Sequence, residues 1–251
     1  GLSPHDLTHV LLTHIHLDHA GAAGRLAQQG AQIYVHPVGA PHMVNPEKLL
    51  ASAARIYGDR MGSLWGEFLP VPESQIKVPN DSEEIVIGNL RFIPINTPGH
   101  AEHHFAYLFE DICFSGDVGG VRIPGYPYLR VPMPPPELHL ERWHESIARL
   151  RREKFTRIAP THFGMYDDPE WQLREVEKGL DSASRWLEQT MSEDSSIEIE
   201  ALRQSFTEWM MDEAVQMGLS EDVINAYILA NPPGMSADGL LRYWKKVKKA
   251  A

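Results

Sequence analysis

Short apolar runs and amphipathic stretches alternate over the first quarter of the chain. Residues 7–14, LTHVLLTH, are apolar and β-branched, which predicts a short buried strand. Residues 18–30 have the small and apolar spacing of a helix that ends at a glycine. Residues 31–37, AQIYVHP, predict a second strand that the proline ends, and residues 41–66 carry apolar positions at helical spacing. The predicted order is therefore strand, helix, strand, helix.

The middle of the chain changes to short strands and then to a long irregular segment. Residues 75–114 contain three strand-like runs, with turn residues at 88–89 and 110–111, which predicts antiparallel β structure. Residues 119–138 are rich in proline and glycine and predict a loop without a regular element. Loops of this length often serve as lids or binding loops.

The remaining pattern is helical, apart from one strand. Residues 140–154 form an amphipathic pattern, and residues 155–164, FTRIAPTHFG, predict a strand that leads to a site. Beyond Asp168 the pattern predicts helices only, at residues 169–191, 197–217, 221–230 and 237–247. We therefore predict an α/β fold with two domains, a catalytic domain over residues 1–166 and a helical appendage over residues 167–251.

Composition excludes several classes of protein. The 251 residues carry a formal net charge of −11, which argues against nucleic acid or an acidic membrane as a partner. The basic run at residues 242–251 is the local exception, and we interpret it as a solvated helix face. Cys113 is the only cysteine, which excludes an internal disulfide and a cysteine-based zinc cluster. We predict a cytoplasmic protein with no transmembrane helix, and an export signal upstream of Gly1 is left open.

Candidate chemistry begins where the first predicted strand ends. The stretch LTHIHLDHAG places His14, His16, Asp18 and His19 within six residues. Alternate residues of a strand point the same way, so His14 and His16 can aim at one point. Imidazole and carboxylate groups are ligands of zinc, and also of iron and manganese. This pattern predicts a metal site rather than a set of capping histidines.

Three other predicted strands also end at a residue that can bind metal. NTPGHAEHH has a Pro-Gly turn that presents His100, SGD ends at Asp117, and APTHFG ends at His162. Converging strand ends are where open sheets place their sites. We therefore expect these residues to join the histidine cluster.

In order and residue type, these motifs resemble those of the metallo-β-lactamase superfamily. HxHxDH, TPGH, SGD and THFG all match, and the resemblance runs from about Leu2 to Gly164. It implies an αββα sandwich with a dinuclear metal centre at the edge of the sheets. It also implies that two strands and a hairpin, which relatives carry before HxHxDH, are missing from this chain.

The resemblance further implies seven ligands for two divalent cations, zinc first, with iron or manganese as alternatives. The first-metal ligands would be His14, His16 and His100. The second-metal ligands would be Asp18, His19 and His162, with Asp117 as the bridge between the ions. Metal binding lowers the pKa of water from 15.7 to about 7, so hydroxide is available to attack a carbonyl or phosphoryl centre. Asp18 and Asp117 are thus also catalytic candidates, Asp18 as a proton shuttle.

Substrate-binding candidates come from the Pro-rich loop and from the TPGH motif. Arg122 could bind a carboxylate or phosphate, and Tyr126 and Tyr128 could donate to an oxyanion, with loop packing as the alternative. His104 is a further candidate, for substrate or for a hydrogen bond to a metal ligand, with a structural histidine of the strand as the alternative. His103 stands where many relatives have glycine, which counts against a glyoxalase II.

We predict hydrolysis of an ester, thioester or lactone of a small neutral or apolar substrate. A phosphodiesterase or ribonuclease of the same fold, a diiron redox protein, a β-lactamase and a non-catalytic binding module remain as alternatives. Aromatic and methionine positions in the helical appendage predict a core or a homodimer interface.

Overall fold

The computed structural model describes residue 1 and residues 3–248, and it divides the chain into two compact units. Unit 1 comprises Gly1–Asn96 and Glu102–Phe114, and unit 2 comprises Thr97–Ala101 and Ser115–Ala251. Leu2, where the family resemblance begins, and residues 249–251 of the basic run lie outside the described residues. This division differs from the boundary at residues 166–167, which stays a prediction about domains.

Unit 1 contains a small parallel sheet with helices between its strands. The sheet has the order β1 (His9–Leu11), β2 (Gln32–Tyr34) and β3 (Ile76–Lys77), and both pairings are parallel. The expectation of antiparallel structure throughout residues 75–114 is therefore wrong for β3. The helices between β2 and β3 return the chain so that β3 enters beside β2 in the same direction.

The helices of unit 1 are shorter than the sequence pattern predicts. The helix predicted over residues 18–30 is two helices, α1 (Leu17–Ala20) and α2 (Ala23–Gln28), because Gly21 ends α1 and glycine loses the most entropy in a helix. The helix predicted over residues 41–66 is three helices: α3 (Ala40–Val44), α4 (Glu47–Tyr57) and α5 (Met61–Trp65). Pro46 precedes α4, and Gly58, at a φ of 52°, ends it.

Unit 1 also contributes four antiparallel strands in sequence order. They are β4 (Ile85–Ile87), β5 (Leu90–Asn96), β6 (Phe105–Phe109) and β7 (Ile112–Phe114). Both turns predicted between them, at residues 88–89 and 110–111, are confirmed. Asn96 pairs with Phe105, so residues 97–104 form the connection between β5 and β6. This connection carries the TPGH motif.

Unit 2 is mainly helical, as the sequence predicts. It contains α6 (Leu140–Leu150), β8 (Arg157–Ala159), α7 (Pro169–Glu193), α8 (Ile199–Gln216), α9 (Glu221–Ala230) and α10 (Pro233–Tyr243). A π-helical turn, Trp244–Lys248, follows α10. The predicted start of the last helix at residue 237 is wrong, because Pro233 is tolerated in the first helical turn, where no N–H donor is required.

The aromatic positions of the helical region pack within unit 2. Phe206 and Tyr227 are buried, and the Trp186 ring lies 4.9 Å from the Phe206 ring. The expectation of a core role is confirmed for these residues, whereas Met217 is exposed. Among residues 1 and 3–248, no helix is long and apolar enough to cross a membrane.

Candidate metal centre

Unit 1 brings together the four polar residues of the HxHxDH motif. The His14 ring lies 4.7 Å from the His16 ring and 4.1 Å from the His19 ring. A ligand atom of His14 is within 4.8 Å of one on His16 and of one on His19. Asp18 Oδ2 is 3.1 Å from His19 Nε2. His14 is buried, whereas the side chain of Asp18 is 40% exposed, so this cluster has one face toward solvent.

Strand β6 holds the backbone of residues 12 and 13, which connect β1 to the HxHxDH motif. The Tyr107 hydroxyl donates to the Leu12 carbonyl at 3.1 Å, and the Phe105 amide donates to the Thr13 carbonyl at 2.7 Å. Burial raises the pKa of the Tyr107 hydroxyl far above its ordinary value, so it remains a donor. β6 therefore fixes the backbone from which His14 projects.

His103 supports the same segment from the TPGH connection. The Ile15 amide donates to His103 Nδ1 at 3.3 Å, and the His103 ring lies 5.4 Å from the His16 ring. A ring nitrogen that accepts from an amide must carry a lone pair, which sets the tautomer of His103. In the sequence His103 stands out only as a departure from the family pattern, whereas in the structure it holds the backbone of residue 15.

Tyr57, in α4, lies near enough to Asp18 for that carboxylate to influence its ionisation. Burial, with a smaller contribution from the negative charge of Asp18, raises the pKa of Tyr57 to about 12, against an opposing effect of Arg60. The phenol therefore stays protonated at neutral pH and can donate a hydrogen bond. Helical spacing in α4 marked Tyr57 only as a core position, so the sequence held no signal for this role.

Unit 2 brings together the other three predicted ligands around one carboxylate. His100 Nε2 lies 3.4 Å from Asp117 Oδ2, and His162 Nε2 lies 3.5 Å from Asp117 Oδ1. The two oxygens of Asp117 therefore face two different imidazoles. Asp117 and His100 are buried, and the side chain of His162 is 26% exposed.

Helix α6 positions His100 through the turn that precedes it. The His139 amide donates to the Gly99 carbonyl at 2.8 Å, and the Ser146 hydroxyl donates to the Pro98 carbonyl at 2.6 Å. The His100 ring packs edge-on against Trp143, with 5.5 Å between ring centroids. Gly99 has a φ of 135°, and a Cβ there would lie 2.4 Å from Trp143 Cα. Only glycine fits this position.

The donor set in unit 2 fits divalent metal. His100 Nδ1 lies 2.9 Å from the Pro132 carbonyl, which can only accept, so Nδ1 carries a proton and the lone pair of the neutral ring is on Nε2. Two ligands on one tetrahedral zinc ion are separated by about 3.3 Å, since each bond is about 2.0–2.1 Å long. The distances of 3.4 Å and 3.5 Å between the Asp117 oxygens and the two imidazole nitrogens are close to this separation between ligand atoms. Asp117 would therefore be able to share divalent metal with His100 and with His162.

The loop residues proposed to contact substrate have different environments. Arg122 donates to both carboxylate oxygens of Asp168, at 2.6 Å and 3.0 Å, which supports the packing alternative for it. Tyr128 is buried with its ring 4.9 Å from that of Tyr227, whereas Tyr126 is 40% exposed. A role in substrate binding stays a prediction for all three residues.

His104 lies inside unit 1 and is completely buried. Its ring stacks at 5.1 Å from the His14 ring. This contact supports the alternative in which His104 acts on a metal ligand rather than on substrate. Its functional role stays a prediction.

Comparison with known proteins identifies relatives over the first two thirds of the chain. A family profile described as the metallo-beta-lactamase superfamily matches residues 1–162. The metallo-beta-lactamase fold-containing protein ST1585 of Sulfurisphaera tokodaii is 29% identical over 163 residues, covering 63% of this chain and 61% of that protein. A hydroxyacylglutathione hydrolase of Rhodopseudomonas palustris is 32% identical over 113 residues, covering 44% of this chain and 33% of that enzyme. The chain thus spans about three fifths and one third of these two curated relatives.

The similarity to a solved structure can extend over the whole chain. The metallo-beta-lactamase family protein TTHA1429 of Thermus thermophilus aligns with a TM-score of 0.64 and 18% sequence identity. The alignment covers 100% of this chain and 78% of that one, so the likeness in fold includes the helical region of unit 2.

Proposed function

Since the chain belongs to the metallo-β-lactamase superfamily, we propose that it is a dinuclear metal-dependent hydrolase of esters, thioesters or lactones. The seven predicted ligands would hold two divalent cations, most simply zinc, with iron and manganese as alternatives. When bound, these cations would supply an activated water and polarise the substrate carbonyl. The observation that carries this proposal is the placement of the two Asp117 oxygens against His100 and His162.

The residues of the chain would then orient ligands and move a proton. The Nδ1 contact of His100 with Pro132 aims Nε2 inward and prevents rotation of the ring. Asp18 is the most exposed of the predicted ligands, so it is suited to carry a proton from the attacking water to the leaving group. Tyr57 would hold its phenolic proton throughout and could donate to Asp18 or to substrate.

The proposed substrate class is supported by charge and by similarity. A net charge of −11 disfavours polyanions such as RNA, whereas a small neutral ester meets no such repulsion. The similarity to a hydroxyacylglutathione hydrolase supports acyl hydrolysis in general.

A panel of substrates tests the proposed reaction. Protein loaded with zinc, iron or manganese is assayed against lactones, thioesters, simple esters, a β-lactam and a bis-phosphate ester. We expect turnover of an acyl substrate, and its loss after treatment with a chelator followed by recovery on return of the metal, because the cations activate the water. Faster turnover of the phosphodiester than of every acyl substrate would contradict the proposal.

The remaining predictions about the protein's setting are also proposals. We propose a cytoplasmic location, a small-molecule substrate, and a homodimer that forms through residues 167–251. Met217 and Leu229 are exposed apolar side chains in that region and support the dimer. Equilibrium sedimentation at micromolar concentrations measures the oligomeric state.

A further inference from the structure

Phe163 follows the predicted ligand His162 and has an unusual backbone conformation. Its φ is 70°, in the left-handed region, and the next residue, Gly164, has a φ of 103°. Glycine adopts this region at no cost, but a bulky aromatic residue there is strained. The strain raises the question of what phenylalanine contributes at position 163.

A set of contacts within unit 2 holds this strained turn in place. Tyr166 Oη lies 2.5 Å from the carbonyl oxygens of Phe163 and Arg122, and burial raises the pKa of Tyr166, which keeps its proton available. The Arg122 guanidinium lies 4.1 Å from the centre of the Tyr166 ring and 4.2 Å from that of Trp171. Asp168 binds the same guanidinium through both oxygens. A strained backbone conformation persists when several surrounding contacts fix it, and the contacts of Tyr166, Arg122 and Asp168 do so here.

Burial does not compensate for the strain. The side chain of Phe163 is exposed, with 45% of the residue accessible, and Met165 is exposed to the same extent. The ring centroid of Phe163 lies 6.2 Å from that of His162. The turn therefore presents an aromatic ring to solvent directly beside a predicted metal ligand.

Neither backbone preference nor burial favours phenylalanine at this position, and its exposed ring beside a predicted metal ligand is placed to contact a bound molecule. We propose that Phe163, with the exposed Met165 two residues further along the chain, forms a subsite for the apolar acyl chain of the substrate. The proposal rests on the proposed hydrolase function for its reaction, and it names the substrate class as esters with an alkyl or aryl acyl group. In this account, Arg122 is a positioning residue that holds the turn rather than a group that contacts substrate.

Kinetics with two esters that differ only in acyl length test this subsite. We expect Phe163→Ala to lower kcat/KM for an octanoyl ester about tenfold. Gain or loss of a small apolar contact with substrate typically changes kcat/KM by about this factor. The value for the matching acetyl ester should change less than about twofold, because its acyl group offers only one methyl group to an apolar contact. Leu64→Ala, at an exposed apolar residue of α5, is the matched control and should change neither value.

A second substitution separates ligand binding from a structural role. Phe163→Gly removes the ring and also relieves the backbone strain, so it should raise the melting temperature relative to Phe163→Ala while losing the same octanoyl preference. If instead both variants unfold more easily than wild type and lose activity equally with the two esters, Phe163 is structural and the proposal is overturned.

Direct binding distinguishes failure of this subsite from failure of the proposed hydrolysis. Calorimetry with octanoate and acetate on the metal-loaded protein requires no turnover. We expect octanoate to bind about tenfold more weakly to Phe163→Ala than to wild type, with no change for acetate. That result would support the subsite even if no ester is hydrolysed. Equal octanoate affinities, or no octanoate binding to wild type, would overturn it.

Discussion

Replacing His16 by alanine should reduce hydrolysis of the best substrate by at least about 10³-fold, equivalent to about 4 kcal/mol of activation free energy. His16 lies 4.7 Å from His14, ring to ring, and the proposal assigns both to one cation. Removal of an imidazole leaves that cation with an incomplete ligand set, which lowers both its affinity and its ability to activate water. Steady-state kinetics with a fixed excess of metal measure the effect.

The control for His16→Ala is an equal truncation at a histidine outside the cluster. His5 is exposed in the 3-10 turn Pro4–Asp6, and His5→Ala should retain wild-type activity. Circular dichroism of both variants should match wild type, because the change at residue 16 acts on the metal and not on the fold. Hydrolysis by His16→Ala at the wild-type rate would show that the proposed centre is not the catalyst.

Gly99→Ala should lower the free energy of unfolding by about 3 kcal/mol or more, the sum of a steric clash and backbone strain. The added Cβ would lie 2.4 Å from both Cα and Cβ of Trp143 and 2.5 Å from its amide nitrogen, and backbone atoms cannot swing aside as a flexible side chain can. For a protein of this size, the loss corresponds to a fall of about 6–12 °C in melting temperature. Calorimetry measures it.

Gly218 provides a control that has the strain without the clash. It lies just beyond α8 with a φ of 78°, and a Cβ there would meet nothing within 4 Å. Gly218→Ala should therefore cost only about 1 kcal/mol. If the two variants had equal melting temperatures, the close approach of Trp143 in α6 would not be the reason that position 99 requires glycine. Loss of activity in Gly99→Ala should accompany its loss of stability, since His100 is the next residue.

The sequence placed the motifs at the ends of strands more accurately than it predicted the lengths of the helices. HxHxDH, TPGH, SGD and THFG follow chain segments whose apolar patterns mark them as strands, so the candidate ligands could be named by number. The structure gathers four of them in unit 1 and three in unit 2. Motif residues are predictable in this way because metal chemistry restricts both their type and their position on a strand end.

Features that depend on tertiary contacts were not predictable from the sequence. The parallel pairing of β3 with β2 depends on the path of the helices between them. The alternation of apolar and polar residues that predicts a strand does not specify this path. Tyr57 had the spacing of a core residue, and only its position near Asp18 suggests more. The strain at Phe163 is likewise invisible in THFG, because backbone φ at that turn is imposed by contacts of Tyr166.

Metal content per chain tests the central claim most directly, because it requires no knowledge of the substrate. The wild-type protein, loaded with zinc and freed of excess metal, is quantified by mass spectrometry of the metal against protein concentration. The account predicts two divalent ions per chain, with about one retained in Asp117→Ala, since the proposed bridging carboxylate offsets the repulsion between them. A wild-type chain that retains no ion after exposure to zinc, iron and manganese in turn, or an Asp117→Ala variant that still retains two, would contradict it.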